Sequence, residues 1–336
     1  MAVDRRWFTL GTLAALTVAC GAGESNGRGA KTDDWWQRYR AAFLSPDGRI
    51  IDTGNGGISH SEGQGYGMIL AFAASDRDAF ASIYHWTEQS LSRGDMALFS
   101  WRYDPREINP VGDPNNATDG DMLIAWALAL AGKRWKMQHY LDRSAQIRNA
   151  IRSRCVTSQY GRQLLLPGIQ GFVTPAGVTV NPSYFIWPAL DTFAALDGQH
   201  VWGQLIADCE DLVRLAKFGA HRLPPDWLTV TGTSQVIPAA SHPPRFGFDA
   251  IRIALYSLMG MRANLAADIG TFWRQRLTQQ RPIPAWIDVV TGEEAPYPVS
   301  EGGAAIVGRL LGAPEPATLS ADYFAASLQM LARARL

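Results

Sequence analysis

Apolar residues recur at three- and four-residue spacing in about eleven segments of the 336-residue chain: 33–43, 62–74, 76–92, 119–131, 137–152, 183–196, 200–217, 248–260, 264–277, 302–311 and 320–334. That period places one apolar stripe on each helix and predicts an all-helical protein. Strand-like runs are few and short, chiefly RQLLLP at 162–167 and GVTV at 177–180. The connections alternate. Helices starting near 62, 119, 183, 248 and 302 follow long loops rich in Gly, Asn, Pro, Asp and aromatics, whereas those between them follow short turns such as Ser75-Asp76 and Asp197-Gly198. Antiparallel pairs repeated around a ring would gather every long loop at one end, as in an α/α barrel. A solenoid would need a repeated sequence period, which is absent. A complete ring of six pairs needs twelve helices, so about eleven segments predict an incomplete last pair and a more open side.

Ahead of the helices the chain reads differently. Arg5 and Arg6 precede an apolar run from Trp7 to Ala19, too short to span a bilayer and shaped like an export signal over 1–22. The arginine pair loosely resembles a twin-arginine signal, and Cys20 a lipoprotein cysteine, although Thr17 stands where a larger aliphatic residue is usual. Residues 23–31 read as a flexible leader and 32–336, without a low-complexity linker, as a single domain. The expected location is periplasmic or secreted, with no transmembrane segment in the mature chain.

Composition narrows the functions. Lys plus Arg (31) balances Asp plus Glu (31), so nothing points to nucleic acid or an anionic membrane surface. Cys155 and Cys209 lie in helix-like stretches and read as buried thiols, with a single disulfide between them left open. Twelve Trp, ten Tyr and thirteen Phe suit sugar stacking, although helix packing accounts for most of them.

Three acids share a position in the helix alternation. Glu62, in SEGQGYGM, Asp119, in NNATDGDMLIAWAL, and Asp249, in FDAIR, each stand at or just before a helix that follows a long loop. Taken singly each is more simply a cap, because acidic residues satisfy free N–H groups and match the helix dipole. Their recurrence at one phase favours a shared cleft. Two carboxyl groups on opposite sides of a bond are what glycoside hydrolysis requires, one giving a proton and one activating water. Gly63, Gly65 and Tyr66 beside Glu62 would admit a bulky ligand and shield the acid. Asp119 and Asp121 cannot point the same way, so one caps the helix while the other faces the cleft. Other chemistries fail: there is no H-E-x-x-H, no G-x-S-x-G and no P-loop. Aligned as a calcium loop, NNATDGD puts Ala117 at the third ligand position and Trp126 where glutamate is required. DDWWQ at 33–37 fails as a diphosphate-binding motif at Gln37.

SEGQGYGM, NNATDGDMLIAWAL, NPSY (181–184) and FDAIR (248–252) together, in this order, resemble glycoside hydrolase family 8 over most of the chain. The resemblance implies an (α/α)6 barrel and endo-acting, inverting hydrolysis of β-1,4-glucan. Glu62 would be the general acid, Asp249 the general base and Asp119 the residue gripping the distorted sugar. It further implies glucan contacts at Trp101, Tyr184, Arg252 and, more weakly, Trp227. No metal or organic cofactor is implied. The expected partners are the polysaccharide and the bacterial cellulose synthesis and export machinery. Chitosan, xylan and mixed-linkage glucan remain rival substrates, and a non-catalytic glucan-binding factor or a purely structural ring the rival roles. One departure stands out: the residue before the base, usually tyrosine in this pattern, is Phe248.

Overall fold

The computed structural model describes residues 29–336, with side-chain surroundings from residue 34 onward. The expected export signal and most of the expected leader lie outside the described residues. The leader's last three residues already belong to the first helix. Eleven α-helices are present among the described residues: α1 (Gly29–Phe43), α2 (Ser61–Ala73), α3 (Arg77–Leu91), α4 (Thr118–Trp135), α5 (Gln138–Arg154), α6 (Trp187–Asp197), α7 (Gln199–Leu215), α8 (Ile251–Met259), α9 (Ala267–Thr278), α10 (Glu301–Leu311) and α11 (Tyr323–Arg333). None is long and apolar enough to cross a membrane.

The helices sort into two layers by how much of their surface they bury. Every residue of α2 from Gly63 to Phe72 is buried, as is every residue of α4 from Thr118 to Ala129. A helix apolar on all sides belongs at the centre. By contrast α5 buries a single stripe, Tyr140, Ser144, Ile147, Arg148 and Ile151, at the spacing of an outer helix. Successive inner helices α2, α4, α6, α8 and α10 are neighbours, with α3, α5, α7 and α9 outside them.

The last pair is incomplete, as expected, but the inner ring is closed. Helix α11 is a sixth inner helix: it packs on α10 at one side and on α2 at the other. Gly302, near the start of α10, lies against Ala325 near the start of α11. At the other end Arg309 donates to the carbonyls of Leu331 and Ala332. The two helices therefore run parallel, as neighbours in an inner ring must. What is missing is the outer helix between them. Residues 312–322 return the chain instead, and Pro314 and Pro316 keep that stretch from winding into a helix. On the other flank of α11, α1 serves as its outer cover, and Tyr39 reaches Ser327 at 2.9 Å. Six inner helices make the (α/α)6 barrel, with five outside, and closure excludes a solenoid.

Short antiparallel strands tie down the long loops at the end where the inner helices begin. Ser59–His60, leading into α2, pairs with Arg102–Tyr103, which follows Trp101. Val173–Thr174, Gly177–Val180, Leu228–Gly232 and Gln235–Pro238 form one four-stranded sheet, and Arg245–Phe246 pairs with Ile287–Asp288. The remaining hairpin joins Val156–Gln159 to Arg162–Leu165. The two expected strand segments thus appear as Arg162–Leu165 and Gly177–Val180.

Several expected helix starts move. Residues 182–184 form a 3-10 turn, and α6 begins only at Trp187. The expected segment from 248 becomes α8 from Ile251, and the one from 264 opens as a 3-10 turn before α9. The last helix is capped by Asp322 on Ala325 N–H, not opened by Ser320. The glycines after Glu62 also have another purpose. A methyl at Gly65 would stand 2.5 Å from the Leu123 Cβ, and one at Gly63 2.5 Å from the Tyr323 hydroxyl. They let α4 and α11 close on α2; they do not open the acid to a ligand.

Candidate active site

Glu62 lies in the first turn of α2, yet it caps nothing. The capping position is His60, which makes no side-chain bond to the helix. Glu62 Oε1 instead accepts from the Tyr66 hydroxyl at 3.0 Å, one turn on along the same face, and from Arg252 Nη1. Asp249 precedes α8, and its carboxylate is likewise spent elsewhere. Arg252 Nη2 donates to Oδ1 and Asn181 Nδ2 donates to Oδ2 at 3.1 Å. The free N–H groups of the turn are taken by Asp226, whose Oδ1 accepts from Ala250 at 2.7 Å and Gly247 at 3.1 Å.

Asp119 is buried near the start of α4, accepting from Gly120 N–H at 2.8 Å, and its Oδ2 stands 3.5 Å from Arg252 Nη1. Asp121 does turn the other way, but not to cap its helix. It accepts from Phe99 N–H at 2.9 Å and Asn116 Nδ2 at 2.8 Å, fastening the strap that carries Trp101. Glu62, Asp119 and Asp249, far apart in sequence, thus meet on one guanidinium.

That guanidinium is not the open sugar contact expected of it. The Arg252 side chain is 3% exposed and also donates to the Tyr66 hydroxyl at 3.1 Å, which stands 3.2 Å from the Tyr256 hydroxyl. The rings of Tyr184 and Phe324 lie near it, each with its centroid 5.9 Å away. Among the aromatic candidates, Trp101 is half-buried. It stacks parallel to His60 at 6.3 Å and donates its indole N–H to Asp113 at 2.8 Å. Trp227 is less available than expected, because His242 covers one face at 4.3 Å and Phe172 runs parallel at 6.1 Å. Its indole lies beside Asp249, whose pKa it helps to hold down. Phe248 is half-exposed beside that acid. Cys155 and Cys209 are both free and buried, and Cys155 accepts from Asn116.

Asn181, Asp226 and Tyr256 go beyond the expected site residues, and Tyr66, expected only to shield the acid, bonds it. Signals for them existed: Asn181 heads NPSY, Asp226 precedes Trp227, and Tyr66 and Tyr256 lie one helical turn from Glu62 and Arg252.

The carboxyl groups are perturbed by their surroundings. Burial, reinforced by the charges of Asp249 and Asp121, pushes Asp119 up to about 8. Burial also raises Asp249 to about 6, against the opposing hydrogen bonds from Asn181 and Trp227. Asp121 and Asp226 are each raised to about 7, again chiefly by burial. The unfolded chain sheds these four protons near the ordinary carboxylate value of roughly 4, whereas the folded protein keeps them to higher pH. Their contribution to stability therefore falls as pH rises from roughly 4 through 8. Asp76, Asp197 and Glu210, held down by arginines and other donors, act oppositely and lose their contribution as pH falls below roughly 4. Thermal melts are expected to give a Tm several degrees higher at pH 5 than at pH 8. A Tm rising steadily to pH 8 would refute this account.

Two carboxyl groups on different nitrogens of one guanidinium do not share a proton between them, so they are free to take separate roles on either side of a bond. On a ring of parallel inner helices, with aromatics around the helix starts, that division defines a helical-barrel glycoside hydrolase. The comparison with known proteins is narrower. The profile described as "Glycosyl hydrolases family 8" matches residues 2–334, and the chain belongs to that family. It is 42% identical over 280 residues to an endoglucanase of Cellulomonas uda, covering 83% of this chain and 77% of that one. A probable endoglucanase of Novacetimonas hansenii is 39% identical over 303 residues, 88% of each chain. The crystal structure of a family 8 endoglucanase from Klebsiella pneumoniae superposes with a TM-score of 0.84 at 40% identity, covering 89% of this chain and 97% of that one.

Proposed function

We propose that the protein is an endo-acting β-1,4-glucanase that cleaves cellulose chains with inversion, and that residues 32–336 form its single catalytic domain. The observation carrying this reading is the bridge from Glu62 through Arg252 to Asp249, with Asp119 alongside. Glu62 is the general acid. Its Oε1 is committed to Tyr66 and Arg252, which leaves Oε2 to carry the proton to the glycosidic oxygen. Asp249, whose side chain is 29% exposed, is the general base and takes a proton from the water that attacks the anomeric carbon from the opposite face. Asp119, kept neutral at physiological pH, donates to a sugar oxygen as the ring flattens. Trp101 and Tyr184 flank the chain, and Trp227 acts through its N–H on Asp249 more than through its faces.

Endoglucanase relatives favour cellulose over chitosan, xylan or mixed-linkage glucan. Export to the periplasm or medium, and work alongside the cellulose synthesis machinery, extend the same reading. Reducing-end release from carboxymethylcellulose by the mature protein tests it. Release there with none from chitosan or xylan is the expected result. Release from another polymer alone moves the specificity, and release from none leaves a glucan-binding factor. Product anomers followed by NMR should appear first as the α form.

Phe248→Tyr is expected to leave turnover on carboxymethylcellulose equal or raise it a few-fold. The ring is half-exposed, so the added hydroxyl meets little protein and can hold water beside Asp249. A large loss would mean that the site has been rebuilt around phenylalanine.

A further inference from the structure

Asp226 is a half-buried acid outside the motifs that mark the site, and it holds the backbone on which Asp249 stands. Its own N–H donates to the Arg245 carbonyl at 2.7 Å, and one carboxylate oxygen accepts from Gly247 and Ala250. Both ends of the turn 247–250 are thereby fixed to one side chain, with Phe248 and Asp249 between them. The approach depends on Gly247, where a methyl would stand 2.8 Å from the other Asp226 oxygen. The next residue, Trp227, lies beside Asp249 and helps hold its pKa down. With the turn's donors satisfied from outside, Asp249 need not cap α8, and both its oxygens stay in the cleft.

We propose that Asp226 is the positioning residue for the general base: it fixes the turn that aims Asp249 into the cleft. This rests on Asp249 being the base. The other groups facing Asp249 are Arg252 and Asp119, with the phenol of Tyr184, and beyond the guanidinium lie Glu62, Tyr66 and Tyr256. Asp226 faces the two backbone donors and Asp249, and among the described residues no basic side chain pairs with it. Further titratable neighbours are His242, stacked on Trp227, and Arg245, whose guanidinium lies over Trp286.

The test compares Asp226→Asn, Asp226→Ala and Asp249→Asn on carboxymethylcellulose, with kcat and KM measured across pH and folding checked by thermal melts. Asp226→Asn keeps an acceptor oxygen but not the charge. With the clamp kept, its kcat, KM and acid limb should all stay near the parent values. Asp226→Ala loses the clamp as well, and kcat should fall roughly tenfold or more while KM again holds. A purely structural Asp226 would lower Tm in the alanine variant but leave kcat of the folded enzyme at the parent value, and that result overturns the proposal. If the alanine variant does not fold, Gly247→Ala, whose methyl would press on the other Asp226 oxygen, takes its place, and an unchanged kcat again overturns the proposal. Substantial hydrolysis by Asp249→Asn would instead remove the reading of Asp249 as base, a failure separable from that of Asp226.

Discussion

Glu62→Gln should release almost no reducing ends from carboxymethylcellulose, a loss of roughly a thousandfold or more, while folding and glucan binding persist. The substitution is close to isosteric. An amide oxygen at Oε1 can still accept from Tyr66, and Arg252 keeps Asp249 and Asp119 as partners, so the bridge across the cleft survives. What is lost is the proton, because an amide has none to give to a departing sugar oxygen. That distinction offers a sharper check than inactivity alone. A substrate whose leaving group needs no protonation, such as a cellooligosaccharyl fluoride, should be cleaved far less impaired by the variant than cellulose is. Equal impairment on both would assign Glu62 to binding or architecture. Residual activity near the parent level on the polymer would remove it from the reaction altogether.

The parts of this site that were legible in the sequence owe it to periodicity. Long loops alternate with short turns, so the helices following the long ones had to begin at one end, and Glu62, Asp119 and Asp249 had to gather there. The closure of the ring was not legible in the same way. Helix α11 reads as half of a pair, and only its parallel packing on α10 and its contact with α2 reveal a sixth inner helix. Arg252 was marked as a glucan contact because its motif said so, whereas its burial and its three carboxylate neighbours, up to 190 positions away, make it the centre of the site. One helix start shifted because a distant side chain satisfied the turn before it. The expected segment from 248 begins at Ile251 because Asp226, more than twenty positions upstream, satisfies the turn before it. Local sequence carries the period of a helix but not the partner that ends it.

Asp249→Asn should be about as damaging as the loss of the acid, and for a complementary reason. The base is needed only while water attacks, and it must be ionised to accept the proton. With Asp249 raised to about 6, activity in the parent should rise as pH passes through that region and the carboxylate forms. An amide never forms one, so kcat is expected to fall by roughly a thousandfold with KM little changed. Asn181 donates to the oxygen that the new amide nitrogen could replace, and Arg252 loses an anion, so some local rearrangement of the side chain is expected as well. Azide separates the lost base from this disturbance. As an anion it attacks without surrendering a proton, and in the space occupied by water it should restore part of the turnover and leave an α-glycosyl azide. If azide restores activity to Asp249→Asn but not to Glu62→Gln, the two carboxyl groups have the separate roles assigned to them. A β-glycosyl azide from the Asp249 variant would show that attack comes from the other face, and inversion would have to be abandoned.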